Sequence, residues 1–303
     1  MKTHIRIGTR ASQLALAQTN QVIAELKRTV SGPKYEVIPI QTKGDKKHEN
    51  DTFEGKGVFT KEIEEALIEE EVDIAIHSMK DLTVDLPTGI IIAAIPKRAD
   101  PHDVLISHRK RKFMQLPAES RIGTSSPRRR SQLLAARGDL KVVDIGGNIE
   151  TRLRKLASGA YDAIILAAAG LDRLHLESKR TEVLPMSIML PAIGQGALAI
   201  QARTSDKDTI DLAHKIDHPV TRREIEAERA FSKSLGGNCR TPIAAYARYD
   251  SSKLTIHGMI ASANGQVVVR SRVTSDNPNS IQIGEELGRS LLDKGAGILL
   301  EKL

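Results

Sequence analysis

The sequence predicts an α/β protein made of two similar domains and a smaller third domain. A weak internal repeat supports the two similar domains, because residues 6–12 (RIGTRAS) are echoed by residues 121–126 (RIGTSS). Strand and helix patterns alternate around both copies, which is typical of βαβ units with predominantly parallel strands. After Pro219 the pattern changes to consecutive strands between two helices, which predicts a small α+β domain with an antiparallel sheet.

Each copy of the repeat continues with the same order of elements. A charged helix over 60–70 leads into a strand at 72–76, and a helix over 150–158 leads into a strand at 161–166. Ligands of such sheets lie at the carboxyl ends of the strands, where helix N-termini present unpaired N–H groups. We therefore expect the Thr- and Ser-rich turns of both copies to line one cleft.

Proline-containing segments mark the expected domain boundaries. Segment 96–101 crosses from the first domain to the second and segment 190–196 returns, and two crossings between the same domains suggest a hinge. The predicted domains are 1–98 with 196–216, 99–195, and 217–303. Within the third, the predicted elements are a helix at 222–235, strands at 243–249, 254–261 and 266–273 with a hairpin turn at 263–265, and a helix at 280–292.

Composition excludes several classes of protein. The chain has one cysteine, so it cannot form an internal disulfide framework, and this suits a reducing compartment. No apolar run is long enough to span a membrane, and the first residues lack the apolar centre of a secretion signal. We expect a cytoplasmic protein without a membrane partner, with a core built mainly from Ile, Leu, Val and Ala because Trp is absent.

The formal charge of +7 is concentrated in one part of the chain. Residues 121–160 contain nine Lys and Arg against three acidic residues, which implies an anionic partner. Nucleic acid is disfavoured, because few aromatic residues are available for base stacking and no binding motif is present. A small polyanionic substrate explains this local cluster better.

The single cysteine, Cys239, lies in the glycine-containing segment 235–242 (LGGNCRTP). A lone cysteine is most often a small buried hydrophobe. Here Gly236 and Gly237 free the backbone, and Arg240 supplies a positive charge that favours the thiolate. We therefore interpret Cys239 as an accessible nucleophile or a covalent attachment point.

Segment 124–130 (TSSPRRR) is the clearest candidate anion site. A Ser or Thr can cap the helix and Pro127 suits its first turn, so the start of the helix is well specified. The arginines that follow oppose the helix macrodipole, a local cost that a function would offset, and arginine can hold a carboxylate or phosphate bidentately. The alternative is a solvated basic helix end.

Residues 77–82 (HSMKDL) form a second candidate, because they follow the buried-looking strand 72–76 at the end where a ligand is expected. Asp81 beside Lys80 could be an ordinary surface ion pair. At the mouth of a cleft it becomes a candidate acid or a stabiliser of developing positive charge. The polar segment 43–57 is predicted to be a mobile loop that acts as a lid, from which Lys56 could reach an anion.

Two motifs point only weakly to a cofactor. Residues 194–199 fit the dinucleotide pattern G-x-G-x-x-A but lack the preceding strand of a βαβ unit. His214 and His218 are four residues apart, but Pro219 interrupts the helix and no third ligand is evident. We expect neither a nucleotide nor a metal.

Taken together, the motifs resemble those of the porphobilinogen deaminase (hydroxymethylbilane synthase) family. The resemblance covers essentially the whole chain and rests on residues 7–12 (IGTRAS), 55–57 (GKG), 77–81 (HSMKD), 123–129 (GTSSPRR), 148–152 (NIETR), 191–196 (PAIGQG) and 236–239 (GGNC). It implies three domains, the first two like type II periplasmic binding proteins. It also implies a dipyrromethane cofactor, held on Cys239 by a thioether and assembled from substrate units.

By the same resemblance, four porphobilinogen molecules are added in succession, each with loss of ammonia, and the linear tetrapyrrole hydroxymethylbilane is released by hydrolysis. Asp81 would stabilise the positively charged azafulvene-type intermediate and assist proton transfer. Gln195 would be a further contact on the hinge side. The residues implied to hold the carboxylates of cofactor and substrate are Arg10, Ser12, Lys56, Ser78, Lys80, Thr124, Ser125, Ser126, Arg128, Arg129 and Arg152.

One position departs from the family pattern. At 145–148 (IGGN) the family usually has Arg-Gly-Asn, so Gly146 stands where an arginine ligand is expected, and we expect weakened activity. We also expect a monomer. The competing interpretation is a non-enzymatic two-domain module that binds or senses a small anion. Such a module would explain the repeat and the hinge, but not Cys239, Asp81 or the third domain.

Overall fold

The computed structural model describes residues 2–46, 57–236, 242–276 and 279–301. Within these residues the chain forms two compact units, 1–99 with 197–222 and 100–196 with 223–303. Two sheets of five strands and one of three are present in this part of the chain. They confirm the predicted class, α/β with two similar sheets and a smaller antiparallel one. The predicted domain boundaries stay a prediction.

Helices and strands alternate along most of the chain. In order they are β1 (His4–Arg10), α1 (Gln13–Thr29), β2 (Lys34–Ile40), α2 (Lys43–Lys46), α3 (Lys61–Ile68), β3 (Ile74–Ser78), β4 (Ile90–Ala94), β5 (Asp103–Ser107), β6 (Arg121–Gly123), α4 (Pro127–Ala136), β7 (Lys141–Val143), α5 (Ile149–Ala157), β8 (Ala163–Ala167), α6 (Ala168–Arg173), β9 (Glu182–Val183), β10 (Leu198–Arg203), α7 (Lys207–His214), α8 (Pro219–Ser234), β11 (Ile243–Asp250), β12 (Lys253–Ala261), β13 (Val268–Ser275), α9 (Ser280–Leu291) and α10 (Gly297–Glu301). Among the described residues, no helix has the length and apolar character that a membrane crossing requires.

The sheet of the first unit has the strand order β2-β1-β3-β10-β4. β1 runs parallel to β2 and β3, whereas β10 runs antiparallel to β3 and β4, so four strands point one way and one points back. Ile5, Ile7, Ile74 and Ile200 of the central strands are fully buried in one core with α1 and α7. This burial explains the apolar runs from which the strands were predictable.

The second five-stranded sheet repeats this arrangement. Its order is β7-β6-β8-β5-β9, with β6 parallel to β7 and β8, and with β5 antiparallel to β8 and β9. β6 therefore corresponds to β1 and α4 corresponds to α1, as the echo of residues 6–12 in residues 121–126 predicts. The repeat and the predominance of parallel strands are confirmed.

The third sheet is antiparallel, in the order β11-β12-β13, and α8 and α9 pack together with it in one core. Phe231 and Leu287 are fully buried in this layer. Gly258 on β12 lies close beneath them, because a Cβ there would come within 2.6 Å of a methyl carbon of Leu287. The hairpin predicted around 263–265 is confirmed, since β12 and β13 pair across it.

Two predictions about loops and helix starts are wrong for local reasons. The helix expected from residue 222 begins at Pro219, because the ring Nδ1 of His218 accepts the N–H of Thr221 at 3.2 Å and caps the helix. The segment expected to be a loop from residue 43 begins instead with the helical turn α2. Residues 47–56, which include most of the predicted lid and Lys56, lie outside the described residues.

Glu228 in the middle of α8 generates a test of this packing. It is fully buried, and its carboxylate accepts the N–H groups of Gly194 at 2.7 Å and Ala247 at 2.9 Å. Glu228→Ala leaves both N–H groups buried without this acceptor, at about 1–3 kcal/mol each, so the free energy of unfolding in urea should fall by about 2–6 kcal/mol. Glu285→Ala, on the exposed face of α9, should change it by less than about 0.5 kcal/mol. An equally small change in both variants would contradict this account of Glu228.

Candidate functional site

In the first unit the candidate residues lie at the carboxyl edge of the sheet. Arg10 is the last residue of β1 and Ser78 is the last residue of β3, and because these strands are parallel both end at the same edge. Ser12 caps α1 by accepting the N–H of Ala15 at 3.3 Å. A single 3-10 turn, Met79–Asp81, follows β3 and brings Lys80 and Asp81 to this edge as well.

The turn after β3 is fixed by its backbone. The N–H of Met79 donates to the carbonyl of Ala197 at 3.0 Å, and the N–H of Leu82 closes the turn on the carbonyl of Met79 at 3.2 Å. Met79 is buried, whereas the Asp81 side chain is half-buried and Lys80 is exposed. The turn therefore presents a carboxylate and an ammonium group from a fixed support.

His77, directly before Ser78, is a titratable residue that the sequence analysis did not single out. It is buried, and burial together with the positive charge of Arg10 lowers its pKa to about 4. The ring is therefore neutral at neutral pH. Its place inside an apolar strand was the available signal, because a buried histidine is expected to be neutral or paired.

In the second unit the corresponding turn follows β6. Thr124 is buried, and its hydroxyl accepts the N–H of Ser126 at 3.2 Å. The Ser125 hydroxyl donates to the carbonyl of Ile145 at 3.1 Å and accepts the N–H of the same residue at 3.0 Å. Ser126 caps α4 by accepting the N–H of Arg129 at 3.4 Å. The predicted capped start of this helix is confirmed.

Arg128 and Arg129 are buried, so a solvated basic helix end is the wrong interpretation of these two residues. Both guanidinium groups pair with Asp103, the first residue of β5. Nη1 of Arg128 lies 2.8 Å from Oδ2 of Asp103, and Nη2 of Arg129 lies 2.7 Å from Oδ1. The two arginines also donate to the backbone carbonyls of Leu190 at 2.7 Å and Ile165 at 3.0 Å, respectively.

Asp103 is completely buried between these two cations. Burial alone would raise the pKa of Asp103, but the guanidinium groups of Arg128 and Arg129 hold it well below its ordinary value. The sequence analysis missed this residue. The available signal was the pair of adjacent arginines in a first helical turn, which requires a carboxylate from another element if both are buried.

Arg152 lies on α5 beside two glycines. Its Nε donates to the carbonyl of Gly147 at 2.8 Å. Burial and the charge of Arg129 lower the pKa of Arg152 to about 10, although Tyr161 acts in the opposite direction. The arginine is therefore still charged at neutral pH, and the charge of Arg129 acts on it.

The two glycines before α5 differ in what they tolerate. Gly147 has a φ of 99°, and a Cβ there would come within 2.6 Å of Thr151, so glycine is required. Gly146 is exposed, and a Cβ built on it meets no atom of the described residues within 4 Å. A side chain at position 146, such as the arginine expected from the family pattern, is therefore sterically acceptable.

Two further polar side chains lie close to segment 191–196. Gln195 is buried, and its Nε2 donates to the carbonyl of Pro101 at 2.7 Å. Arg173, the last residue of α6, donates to the carbonyl of Gly196 at 2.9 Å, and burial lowers its pKa to about 10. The sequence analysis missed Arg173, because a basic residue at the end of a helix is ordinarily explained by the macrodipole.

Positive charge is therefore in excess around α4. Arg128, Arg129 and Arg152 carry three positive charges, and Asp103 supplies the carboxylate to which the first two bond. Burial is the main cause that lowers the pKa of Arg152, and repulsion from Arg129 adds to it, so this part of the chain holds an excess of poorly solvated positive charge. A ligand with two carboxylates would offset it. Fold and charge together define an α/β protein with an excess of positive charge beside a strand end, which suits a small polyanion.

Known proteins identify the family. Residues 5–211 match the family model described as porphobilinogen deaminase, dipyromethane cofactor binding domain, and residues 222–293 match porphobilinogen deaminase, C-terminal domain. The chain is 44% identical over 301 residues to the porphobilinogen deaminase of Brevibacillus brevis, covering 98% of this chain and 97% of that protein. It is 45% identical over 301 residues to that of Syntrophus aciditrophicus, covering 99% and 98%. The chain belongs to the porphobilinogen deaminase family.

Solved structures of periplasmic binding proteins resemble the chain distantly. The sulfonate-binding protein SsuA of Methylobacillus flagellatus is 17% identical, with a TM-score of 0.41 and coverage of 77% of this chain and 68% of that one. SsuA of Escherichia coli is 11% identical, with a TM-score of 0.41 and coverage of 79% and 76%. Likenesses at this level carry no argument about the ligand or the mechanism.

The described residues fit the dipyrromethane cofactor of this family. Excess guanidinium groups around α4 would supply donors for its carboxylates, and the half-buried Asp81 would supply an acceptor for pyrrole N–H groups. Cys239, the expected attachment point, and Lys56 lie outside the described residues. Among the residues that are described, no group of three or more His, Cys, Asp or Glu side chains is placed to hold a metal ion.

Asp103→Asn tests the buried ion-pair cluster. The substitution keeps the size of the side chain but removes the carboxylate shared by two buried cations, and breaking such a pair costs about 3–5 kcal/mol. The free energy of unfolding in urea at pH 7 should fall by that amount. Asp144→Asn is the control, because Asp144 pairs with Arg130 while 77% exposed, and it should lose less than about 1 kcal/mol.

The same experiment has a defined pH dependence. The pKa of Asp103 is lowered in the folded chain, so its stabilisation is complete above its unfolded-state pKa of about 3.9 and is lost as the pH falls below that value. The difference between wild type and Asp103→Asn should therefore shrink below about pH 4. A difference that is small at pH 7, or that does not change with acidification, would contradict the assignment of charge to Asp103.

Proposed function

We propose that this chain is a transferase that joins four porphobilinogen molecules, with loss of ammonia at each addition, into the linear tetrapyrrole hydroxymethylbilane. The observation that carries the proposal is the excess of guanidinium groups over carboxylates around α4, in a chain of this family. Each porphobilinogen brings two carboxylates, so the growing product gathers negative charge. The excess positive charge around α4 attracts these carboxylates.

The dipyrromethane cofactor of the family supplies the free pyrrole position to which the first substrate unit is added. Cys239 is the proposed attachment point through a thioether, since it is the one thiol of the chain and Arg240 beside it favours the thiolate. The match to the cofactor-binding and C-terminal domains favours this enzyme over a non-enzymatic module that binds or senses an anion.

Asp81 is the proposed catalytic residue. When porphobilinogen loses ammonia, positive charge develops on the substrate, and a fixed carboxylate beside it stabilises that charge while accepting the pyrrole N–H. The same carboxylate can accept the proton that the free pyrrole carbon must release after it bonds to the next substrate unit. The support for this role is the position of Asp81 on a backbone-fixed turn at the carboxyl edge of the first sheet.

The proposed carboxylate ligands use the donors that their internal contacts leave available. Arg128 bonds to Asp103 and Leu190 through Nη1, and its Nε and Nη2 have no hydrogen-bond partner in the described part of the chain. Ser125 already donates to Ile145, so it must release that bond or donate through its N–H. The proposed set is Arg10, Ser12, Lys56, Ser78, Lys80, Thr124, Ser125, Ser126, Arg128, Arg129 and Arg152, with Gln195 as a further contact.

The proposal includes a monomer that acts in the cytoplasm without a nucleic acid or membrane partner. A single cysteine suits a reducing compartment, and few aromatic residues are available to stack on bases. A mass near 33.1 kDa by light scattering would support the monomer, and a multiple of this mass would contradict it.

Cys239→Ser tests the proposed attachment point. A hydroxyl is a far weaker nucleophile than a thiolate near neutral pH, so this variant should carry no stable cofactor and should lose nearly all turnover. Hydroxymethylbilane formation from porphobilinogen is the measurement, with the intact mass of each variant. A wild-type rate of hydroxymethylbilane formation in Cys239→Ser would contradict the assignment of this residue as the attachment point.

Asp81→Asn tests the proposed catalytic carboxylate. The variant keeps the size of the side chain and removes the charge, so turnover should fall by on the order of a hundredfold or more while the cofactor stays attached. Asp85→Asn, an exposed carboxylate in the same segment, is the matched control and should leave turnover unchanged. Near-normal turnover in Asp81→Asn would show that Asp81 is an ordinary surface carboxylate without a catalytic role.

Gly146→Arg tests the departure from the family pattern. The position has room for a side chain, and an arginine would add one charge-assisted contact of roughly 1.5–3 kcal/mol. We expect faster elongation and less partly elongated enzyme in single-turnover mass spectrometry with porphobilinogen. Gly297→Arg adds the same charge at another open glycine and should have no effect. Identical distributions of intermediates in wild type and Gly146→Arg would show that Gly146 is neutral.

A further inference from the structure

Two groups fix the guanidinium of Arg10 at the end of β1. Its Nε donates to Oδ1 of Asp45 at 3.2 Å, and its Nη2 bonds to the same oxygen. The ring of Phe59 lies against the guanidinium, with its centroid 4.2 Å from Cζ. The carboxylate sets the direction of the group and the ring restrains its plane, so Arg10 is held in one orientation.

The short turn that carries Asp45 is itself anchored. Oδ2 of Asp45 accepts the hydroxyl of Thr42 at 2.8 Å and the N–H of Thr42 at 3.2 Å. The N–H of Gly44 donates to the carbonyl of Val58 at 3.1 Å. A Cβ on Gly44 would come within 2.1 Å of the Phe59 ring, so glycine is required for the turn to lie there. Asp45 is therefore a fixed partner of Arg10.

Asp45 occupies one edge of the guanidinium of Arg10. It takes the edge formed by Nε and Nη2, and Nη1 has no hydrogen-bond partner among the described residues. Partial burial would raise the pKa of Asp45, but Arg10 and Thr42 hold it below its ordinary value, so the carboxylate is ionised at neutral pH. Because the Nη1–Nη2 edge of a guanidinium can also bind a carboxylate bidentately, Arg10 can hold a second carboxylate without releasing Asp45.

We propose that Asp45 is a positioning residue, which holds Arg10 so that its Nη1–Nη2 edge receives one carboxylate of porphobilinogen. This inference rests on the proposed function, in which Arg10 is a carboxylate ligand. Without Asp45, only the ring of Phe59 among the described residues restrains the long side chain of Arg10, and the cost of ordering the guanidinium falls on substrate binding. The opposite relation, in which Asp45 competes with the substrate for Arg10, requires substrate binding to tighten when Asp45 is replaced.

The test is a double-mutant cycle on the full-length chain, with porphobilinogen consumption as the readout. Asp45→Asn should raise KM about tenfold and change kcat by less than about twofold, because one charge-assisted contact that orients Arg10 is lost. In the Arg10→Gln background the same substitution should have no further effect, since Asp45 acts through Arg10. Thr42→Val leaves Asp45 ionised but removes one of its anchors, and it should raise KM by a smaller factor.

Asp139→Asn is the matched control. Asp139 pairs with Arg137 through the same guanidinium edge, with Nε at 2.7 Å and Nη2 at 2.6 Å, and its replacement should leave KM unchanged. Thermal unfolding of each variant verifies that it is folded. If Asp45→Asn does not fold, Thr42→Val still tests the positioning role.

The outcomes distinguish the positioning role of Asp45 from the proposed function of the chain. If the wild-type chain turns over porphobilinogen but neither Asp45→Asn nor Thr42→Val raises KM, the positioning role alone is overturned. Effects of Arg10→Gln and Asp45→Asn that multiply in the double variant also overturn it. A wild-type chain that consumes no porphobilinogen overturns the proposed function, and this inference with it.

Discussion

The second unit depends on one buried carboxylate. Asp103 opens β5 and bonds to Arg128 and Arg129, which in turn bond to carbonyls at Leu190 and Ile165. Adjacent arginines in the first turn of a helix repel each other and oppose the macrodipole, so they are not stable there unless an acid compensates them. One ion-pair cluster therefore fixes α4 against β5, β8 and the segment that leads to β10.

The ion-pair cluster of Asp103 also leaves positive charge around α4. A single carboxylate cannot neutralise two arginines, and Arg152 adds further positive charge nearby. In the proposed function, the carboxylates of a ligand would complete the compensation that Asp103 begins, and binding would then also stabilise the fold. The first unit uses a related device, because Asp45 holds Arg10 at the corresponding strand end. In both repeats, an aspartate from outside the Ser- and Thr-rich turn pairs with an arginine that we propose as a carboxylate ligand.

Local signals were enough for much of this structure. Apolar strand runs and the repeated RIGT motif predicted the two similar sheets, and the Ser- and Thr-rich segment before Pro127 predicted the capped start of α4. The start of α8 was missed because the cap is a histidine ring, an uncommon choice. Asp103, Asp45 and His77 could not be assigned in the same way, because their roles depend on which elements the fold brings together. A carboxylate that pairs with an arginine far away in the chain leaves no periodicity to detect.

The intact mass of the purified chain, measured under denaturing conditions before and after addition of porphobilinogen, is the decisive test of a covalent cofactor that is elongated by substrate. We expect the mass of the 33.1 kDa chain plus two linked pyrrole units, and a ladder of further pyrrole units after substrate is added. An unmodified mass in protein from cells that make porphobilinogen, with no change on addition of substrate, would contradict it.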